Sequence, residues 1–438
     1  MSAVDTVVVG AGISGLACAT ELVAQGRGDL LLLEAAPRAG GPAETRRIGE
    51  YLVERGPMTV RANPALLQLV ERAGLTPVPA QRAAPAFVSN GAIVSLPPTL
   101  GALLGGSLLP WGALLSCLAE PLRPVRSGPR SVRRLVEERL GPGAAERLAD
   151  LMTLGVYGTT ADEVGFESAF PDLAESLARA GGRFSSLMLR SLFGRSGPTR
   201  LGVMSTELGL GGLCERLGAQ LGPRLRTGAK LARARRTDSG FELELASGAE
   251  AKLSCRHLVL ALPPAAAARV LEIPRVTALL EEYRAVPQVL AAFALEEPAC
   301  AERWTGLGFL VPPRERLPLI GCLFPANLFP GRAPKGSMLL SVFVARPLHA
   351  ASDAALAREL APVLRRLLGS AREPVLLDVA RYADGIPLYD VGHAERTRAL
   401  RAALAESRGP TLCGVGYDGV AFAAAAASGL AAARAGPD

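Results

Sequence analysis

Residues that commonly bind metals are scarce in this 438-residue sequence. The three histidines, His257, His349 and His393, lie far apart in the chain and do not show the spacing of a metal site. The seven cysteines are also scattered, without a Cys-x-x-Cys pair. We therefore predict no metal centre, and we expect reduced, mostly buried cysteines in a cytosolic protein.

Charged residues are also few, at 20% of the sequence, whereas hydrophobic residues make up 49%. This balance excludes a disordered chain and allows large buried or lipid-facing surfaces. The length exceeds that of one typical core, so we expect two or three domains. The chain enters a strand by residue 4 without the basic and apolar regions of a signal peptide, so we expect a cytoplasmic location.

One long stretch, residues 83–119, has no charged side chain, and its second part, Leu96–Ala119, is rich in leucine. Prolines and glycines interrupt this second part too often for a regular transmembrane helix. Arginines follow it at positions 123, 126, 130, 133, 134 and 139. Two interpretations stay open: short helices that dip into a membrane face beside anionic head groups, or a buried hairpin followed by a solvated helix face. The net charge of +7 does not lead us to predict a nucleic-acid partner.

The first residues carry the strongest motif. An apolar strand, residues 4–9, is followed by Gly10-Ala11-Gly12-Ile13-Ser14-Gly15 and then by a helix. This is the dinucleotide-binding fingerprint in its required context. Gly10 allows the tight turn, Gly12 lets the backbone approach a pyrophosphate, and Gly15 lets the helix pack close to the strand. The helix N-terminus then favours the phosphate charge.

A second apolar strand ends on Glu34, where a carboxylate is expected to accept hydrogen bonds from a ribose. The residues from Glu34 to Gly41 fit the pattern E-x-x-x-R-x-G-G, with Arg38 as the arginine and Gly40-Gly41 as the glycine pair. This pattern resembles the extension found in FAD-dependent amine oxidases, carotenoid desaturases and protoporphyrinogen oxidases. Arg38 can place a guanidinium by the diphosphate, so we predict FAD as the cofactor.

Further motifs resemble the protoporphyrinogen and coproporphyrinogen oxidase family nearly from end to end. They are Gly155-Val156-Tyr157, the Gly-rich turn before residue 213, Gly385-Ile386-Pro387-Leu388-Tyr389 with Gly392-His393, and Gly414-Val415-Gly416-Tyr417 near the C-terminus. Several signature positions differ: Leu388 replaces Gln, Val415 replaces Asn, Ala421 replaces Gly, Pro42 stands where Arg is frequent, and Met58 where Asn is common.

The resemblance implies an α/β fold with three parts. A discontinuous Rossmann-like FAD-binding domain covers 1–76, 199–282 and 398–438, and a mixed-sheet substrate domain covers 77–95 and 283–397. A small helical domain covers 96–198, and its membrane-facing interpretation stays open. The cofactor residues that the motifs and the resemblance predict are Gly10, Gly12, Ile13, Ser14, Gly15, Glu34, Ala35, Arg38, Gly40, Gly41, Gly56, Pro57, Met58, Thr59, Leu231, Gly414, Tyr417 and Val420. The predicted apolar substrate wall is Gly155, Leu307, Leu310 and Phe343.

The activity implied is oxidation of a porphyrinogen by hydride transfer to FAD, with oxygen or another electron acceptor reoxidising the flavin. We expect no catalytic acid–base pair, because the cofactor carries the chemistry. His393 belongs to a mostly structural loop, although a general-base role stays open. Alternatives are a flavin-dependent amine oxidase or carotenoid desaturase, and a porphyrin-binding flavoprotein without activity. The sequence leaves open whether the chain forms a homo-oligomer.

The substrate's propionates need cations, and the resemblance places an arginine where this chain has Ala86. Arg82 and Arg61 are the nearest cations in sequence. We hypothesise either that one of them anchors a propionate or that the substrate is less anionic than a porphyrinogen.

Overall fold

A computed structural model describes residues 2–81, 84–95, 109–187, 202–246 and 252–435. Its strands are, in chain order, β1 (Ser2–Val9), β2 (Leu30–Leu33), β3 (Thr45–Ile48), β4 (Tyr51–Glu54), β5 (Val60–Arg61), β6 (Pro77–Pro79), β7 (Pro85–Ser89), β8 (Ala92–Ser95), β9 (Val203–Thr206), β10 (Leu225–Arg226), β11 (Leu231–Thr237), β12 (Gly240–Leu245), β13 (Lys252–Leu260), β14 (Ala285–Leu295), β15 (Gly308–Leu310), β16 (Leu319–Leu323), β17 (Met338–Val344), β18 (Val375–Pro387) and β19 (Thr411–Leu412).

The helices are, in the same order, α1 (Ile13–Ala24), α2 (Pro64–Arg72), α3 (Trp111–Leu118), α4 (Val132–Leu140), α5 (Pro142–Ala144), α6 (Asp150–Tyr157), α7 (Phe166–Ala169), α8 (Pro171–Arg179), α9 (Gly209–Leu221), α10 (Pro264–Val270), α11 (Pro274–Glu281), α12 (Pro298–Arg303), α13 (Pro325–Leu328), α14 (Asp353–Leu368), α15 (His393–Glu406) and α16 (Phe422–Arg434). A π-helical turn, Ala145–Ala149, joins α5 to α6. Short 3₁₀ turns lie at Glu120–Leu122, Gly222–Arg224, Pro313–Glu315 and Arg346–Leu348.

The first sheet has a parallel centre that is buried on both faces. Its order is β10-β2-β1-β13, with the β11–β12 hairpin beside the first half of β13 and β19 beside its second half. Every residue of β2 is buried, as are Val7, Val8 and Val9 of β1, which is typical of parallel strands covered by helices. Helices α1, α2, α9 and α16 cover one face, and α10, α11 and α15 cover the other. The α/β class that the sequence predicts is confirmed.

The second sheet is mixed, in the order β18-β14-β17-β16-β15-β7-β8, and its β15–β7 pair is parallel. One face packs against α14 through residues such as Leu360, Leu340 and Val342. On the opposite face, residues in register across neighbouring strands form a row. This row, which we call the apolar row, consists of Phe87, Leu310, Gly321, Phe343, Leu290 and Ala380.

Helices α4, α6, α7 and α8 pack around a core, which we call the helical core, that includes Leu135, Tyr157 and Phe166 and is shared with Val286 of β14 and with Tyr389. Residues 96–108 of the predicted apolar stretch lie outside the described residues, and α3 is formed by the part that follows. Among the helices that the structure describes, none is long and apolar enough to cross a bilayer. The division of the chain into domains at the boundaries given above stays a prediction.

A buried ion pair joins the loop before β17 to the first half of the chain. Arg332 and Glu54 have side chains that are each 2% exposed, with 3.3 Å between Arg332 Nη1 and Glu54 Oε1. Arg332 Nη2 also donates to Ser205 Oγ at 2.8 Å, and Glu54 accepts from the Leu210 N–H at 3.0 Å. Burial raises the pKa of Glu54 in spite of Arg332. Removing one partner would therefore leave a buried group without its counter-charge.

Replacing Arg332 with Met should lower the free energy of unfolding by about 3 to 5 kcal/mol, because Glu54 loses its cation inside the protein. The matched control is Arg179→Met, since the Arg179–Glu175 pair has side chains that are 65% and 67% exposed and should contribute less than about 1 kcal/mol. Urea unfolding followed by circular dichroism measures both. Equal midpoints for the two variants would contradict the role given to Arg332.

Candidate active site

The carboxyl ends of four parallel strands meet at one edge of the first sheet. Val9 of β1 is in register with Leu33 of β2 and Leu260 of β13, and Leu260 is in register with Leu412 of β19. The residues that follow these strands therefore lie side by side. In an open α/β sheet this edge is where ligands bind.

The predicted Gly-rich turn has the geometry that its glycines were expected to allow. Gly10 has φ +98°, and a Cβ there would lie 2.6 Å from the Ala261 carbonyl oxygen. A Cβ on Gly15 would lie 1.8 Å from the Gly10 carbonyl oxygen, so α1 packs against the turn only without one. Both glycines are thus required by the local packing.

Gly12 is different, because a Cβ at this position would meet nothing within 4 Å. Its φ of −68° is open to any residue, and it is the N-cap of α1 without a side-chain capping bond. The N–H groups of the first helical turn have no intrahelical partner. Ile13 and Ser14, which begin this turn, are buried. The space at Gly12, in front of a helix N-terminus, fits a phosphate group.

Glu34 follows β2 and is held beside this turn. Its carboxylate accepts from the Ala11 N–H at 2.7 Å and from the Ala36 N–H at 2.8 Å, one bond on each oxygen. An ionised carboxylate has about four acceptor positions, so both oxygens can still accept from ribose hydroxyls. The chain before Leu231 runs alongside, with the Ala229 N–H donating to the Glu34 carbonyl at 2.8 Å. Ala35 is exposed next to Glu34.

The glycine pair lies against the same turn. The Gly40 N–H donates to the Ala11 carbonyl at 2.7 Å, and a Cβ on Gly41 would lie 3.4 Å from Gly12 Cα. Arg38 supports this loop: it donates to the carbonyls of Ala39, Gly41 and Ala43 and to Glu44. Four of its five N–H donors are thus used within the loop, so its expected diphosphate contact stays a prediction.

Charged side chains join the glycine pair to the second sheet. Glu44 accepts from Arg38 at 3.0 Å, from Arg46 at 2.6 Å and from Arg55 at 2.7 Å, and Arg55 Nε also donates to Asp378 of β18 at 2.6 Å. Burial acts to raise the pKa of Glu44, but the hydrogen bonds from Arg55 and Arg46 outweigh it and hold this pKa below its ordinary value. Glu44 is therefore a carboxylate that fixes the position of three cations.

The predicted segment Gly56, Pro57, Met58 and Thr59 lies between the glycine pair and the second sheet. A Cβ on Gly56 would lie 2.0 Å from the Pro42 carbonyl oxygen. Met58 is buried against Leu290 and Ala380 of the apolar row. The Tyr382 hydroxyl donates to the Arg55 carbonyl at 3.0 Å, so β18 contacts this segment directly.

The predicted C-terminal turn reaches the same edge. A Cβ on Gly414 would lie 3.4 Å from Ser14 Oγ, and one on Gly429 would lie 2.0 Å from the Ser14 carbonyl oxygen, so α16 packs closely on α1. Tyr417 is buried, with its hydroxyl donating to the Leu262 carbonyl at 3.3 Å. Val420 is partly buried against the helical core. The structure therefore brings the N-terminal and C-terminal motifs together.

Three of the four predicted substrate-wall residues lie together. Leu310 and Phe343 belong to the apolar row on either side of Gly321. A Cβ on Gly155 would lie 3.8 Å from both terminal methyl carbons of Leu310. Leu307 lies outside the row, in the segment before β15, where its backbone pairs with Ala84 and Phe324.

The proposal that an arginine is missing at Ala86 needs correction. Ala86 is in register with Phe309, not with Leu310, and it packs with the cluster on the α14 face. An arginine at this position would therefore point away from the apolar row. Arg61 is exposed on β5, in a different sheet, and Arg82 lies outside the described residues.

His393 is buried in a cluster of aromatic rings. Its ring stacks on Tyr389, with 3.8 Å between ring centroids, and meets Tyr283 edge-on at 5.3 Å. Neither ring nitrogen has a hydrogen-bond partner among the described residues. Burial, and then the nearby Arg396, lower the pKa of His393 to about 4. A neutral, enclosed imidazole favours the structural interpretation over a general base.

Sequence reasoning missed Tyr382 and the carboxylates of Glu44 and Asp378. Tyr382 follows Ala380 by two residues in β18, so strand alternation places both on one face, but the sequence does not mark Ala380 as part of the site. Glu44 and Asp378 both bind Arg55. The sequence carries no local signal of this arrangement, since the two carboxylates are far apart in the chain. Across the residues that the structure describes, no group of three or more His, Cys, Asp or Glu could hold a metal ion.

The fold and the site define an α/β protein with a dinucleotide-binding edge and a second, mixed sheet that contacts it. The chain belongs to the family of flavin-containing amine oxidoreductases, whose model matches residues 13–435. It is an FAD-dependent oxidoreductase, so the cofactor and the enzyme class that the sequence predicts are confirmed.

Named relatives confirm the resemblance to porphyrinogen oxidases. The chain is 29% identical to coproporphyrinogen III oxidase of Propionibacterium freudenreichii, over 94% of this chain and 87% of the relative. It is 27% identical to the chloroplastic protoporphyrinogen oxidase of Nicotiana tabacum, over 91% and 79%. A crystal structure from Exiguobacterium sp. 255-15, assigned as a protoporphyrinogen oxidase, superposes with a TM-score of 0.84 at 25% identity, covering 99% of each chain.

Gly12→Val should abolish FAD binding, because the side chain would occupy the space in front of the α1 N-terminus. The matched control is Gly28→Val: a Cβ at Gly28 also meets nothing within 4 Å, and its φ is not positive. The visible absorbance of purified protein, read before and after denaturation, gives the FAD content. A full complement of FAD in Gly12→Val would overturn the assignment of this turn.

Proposed function

We propose that this protein oxidises a porphyrinogen, coproporphyrinogen III or protoporphyrinogen IX, to the corresponding porphyrin. The observation that supports this most is the apolar row, which lies beside Met58 and meets Gly155, in a chain similar to named porphyrinogen oxidases over more than nine-tenths of its length. A porphyrinogen is a broad, largely apolar macrocycle, and such a ring needs an extended apolar wall.

The apolar row has the dimensions for a broad ring. Leu310 and Phe343 are separated by the strand that carries Gly321, which is about 10 Å at the ordinary strand spacing. Gly321 adds no side chain between them, so the space between Leu310 and Phe343 stays open. Gly155 likewise adds no side chain on the part of α6 that faces Leu310. These residues would hold the ring flat and exclude water from it.

FAD, when bound, supplies the hydride acceptor for this reaction. The chain's own residues orient the two reactants: the α1 N-terminus and Glu34 would hold the dinucleotide, while the Glu44–Arg55–Asp378 group keeps Met58 and the second sheet in place. Oxygen or another acceptor would reoxidise the flavin. No acid–base pair is needed at the reacting carbon, and His393 is enclosed elsewhere.

Purified, FAD-loaded protein should form fluorescent porphyrin under air from at least one of coproporphyrinogen III and protoporphyrinogen IX. Leu310→Glu should lower kcat/KM at least ten-fold, because it places a carboxylate in an apolar wall opposite an acidic substrate. The control is Val375→Glu, on the same sheet at a side chain that is 64% exposed. The FAD content should stay unchanged in both variants.

Two results would contradict this proposal. One is the absence of porphyrin from both substrates with fully FAD-loaded protein. The other is equal kcat/KM for Leu310→Glu and Val375→Glu, which would place the substrate elsewhere. Turnover of a primary amine or a carotenoid precursor in place of a porphyrinogen would favour the amine oxidase or desaturase alternative.

We also propose that the surface of α3 contacts a membrane on its cytoplasmic face. Trp111, Leu115 and Leu118 recur at helical spacing with exposures of 78%, 66% and 71%, and Leu122 just beyond is 89% exposed. Such an apolar stripe is large for a surface that meets only water. Arg126 and Arg134 follow, with side chains that are 64% and 67% exposed although each also pairs with Glu138, and exposed arginines of this kind attract anionic head groups.

The protein should sediment with vesicles that contain anionic phospholipid, and salt should release part of it, because head-group attraction is screened while apolar insertion is not. The double variant Leu115→Glu/Leu118→Glu should stay in the supernatant, and Val375→Glu should sediment like the wild type. Equal amounts of wild-type protein in the supernatant with and without vesicles would contradict the membrane contact.

A further inference from the structure

The C-terminal turn, residues 414–421, connects β19 to α16 and lies beside the predicted cofactor residues. Gly414 adjoins Ser14 in the first turn of α1. The first turn of α16 is bound by Asn63, whose side-chain amide donates to the Ala423 carbonyl at 2.8 Å. Asn63 closely follows the Gly56–Thr59 segment in sequence. The position of this turn therefore determines where the N-terminus of α16 lies relative to the predicted cofactor residues.

Tyr389, from the loop between β18 and α15, reaches into this turn. Its hydroxyl donates to the Val415 carbonyl at 2.9 Å and accepts from the Gly419 N–H at 2.7 Å. One oxygen thus joins the beginning of the turn to its end, across a stretch where Gly419 has φ +118°. Tyr389 is 5% exposed, so water cannot easily replace this bridge.

The ring of Tyr389 is itself held from several sides. His393 stacks on it, with 20° between the ring planes, and Tyr157 of the helical core lies 6.1 Å away. The Gly165 N–H donates to the Tyr389 carbonyl at 2.8 Å. The hydroxyl is therefore presented to the turn by residues from the helical core and α15.

Other contacts of the turn include side chains from α15 and α16. Ser428 Oγ accepts from the Gly414 N–H at 2.9 Å and donates to Asp418 at 2.5 Å, and Arg401 of α15 pairs with Asp418. These contacts fix the start and the outer side of the turn. The Tyr389 hydroxyl, by contrast, forms hydrogen bonds to both Val415 and Gly419.

We propose that Tyr389 is a positioning residue for the flavin: its hydroxyl shapes the 414–421 turn so that the N–H groups of the first turn of α16 face the cofactor. The role is indirect, because both hydrogen bonds of the hydroxyl go to the backbone of the turn. It depends on FAD binding, which family membership establishes, and not on the proposed porphyrinogen substrate.

The test is the FAD affinity of Tyr389→Phe, which removes the bridging oxygen and leaves a buried N–H and a buried carbonyl without this partner. Apo-protein is titrated with FAD, and flavin fluorescence quenching is recorded. We expect the dissociation constant to rise about ten-fold and the visible circular dichroism of the bound flavin to change. Hydrogen exchange of the peptide covering residues 415–420 should be faster in the apo-variant than in apo-wild type.

The matched control is Tyr283→Phe. Tyr283 is 9% exposed, belongs to the same ring cluster, and shares its hydroxyl hydrogen bond with Thr397 at 2.9 Å, outside the turn. This variant loses a buried hydroxyl but should keep the wild-type FAD affinity, flavin dichroism and exchange of residues 415–420. An unchanged FAD affinity in Tyr389→Phe, or an equal loss in both variants, would overturn the proposal, since the hydroxyl would then contribute only to general stability.

Discussion

The parallel register of β1 with β2 and β13 is the constraint on which the rest of the structure depends. It brings the ends of strands from the beginning and the middle of the chain to one edge, so that Gly10, Glu34 and Ala261 are neighbours. A shift of one residue would exchange the faces of the buried side chains and separate Glu34 from Ala11. The cofactor edge thus exists because long-range strand pairing holds it, although the residues that it presents belong to short local motifs.

Ion pairs determine how the second sheet meets this edge. The Arg332–Glu54 pair and the Glu44–Arg55–Asp378 group connect the β3–β4 hairpin and the loop after Gly41 to β18 and the loop before β17. Buried charges contribute little net stability compared with apolar packing, but they tolerate few alternative arrangements. We infer that they fix the orientation of the apolar row relative to the flavin edge, which a purely apolar contact could leave variable.

The two sheets supply different chemical groups to the site. One layer offers backbone N–H groups and a carboxylate, which suit a dinucleotide, and the other offers Leu310, Gly321 and Phe343, which suit a flat apolar ring. Fold alone does not choose the substrate, because the same architecture serves several oxidations. The proposal of a porphyrinogen substrate therefore rests on the apolar row together with the named relatives.

The sequence by itself determined the cofactor edge. The order of strand, glycines, helix and Glu34 is local, and a tight turn between a strand and a helix requires glycine at fixed positions. The tight turn at Gly10 and the close packing at Gly15 therefore follow from their spacing, and the approach of a pyrophosphate to Gly12 stays a prediction.

Only the tertiary structure decided which residues face one another across the chain. Strand pairing placed Ala86 on the α14 face, whereas the resemblance suggested a position from which an arginine would bind a propionate, and it put Tyr382 beside Met58. The bridge from Tyr389 to the C-terminal turn joins residues from two different motifs. Local propensity and spacing carry information about neighbours in sequence, but the face that a strand residue presents depends on register with distant strands, which the local pattern does not contain.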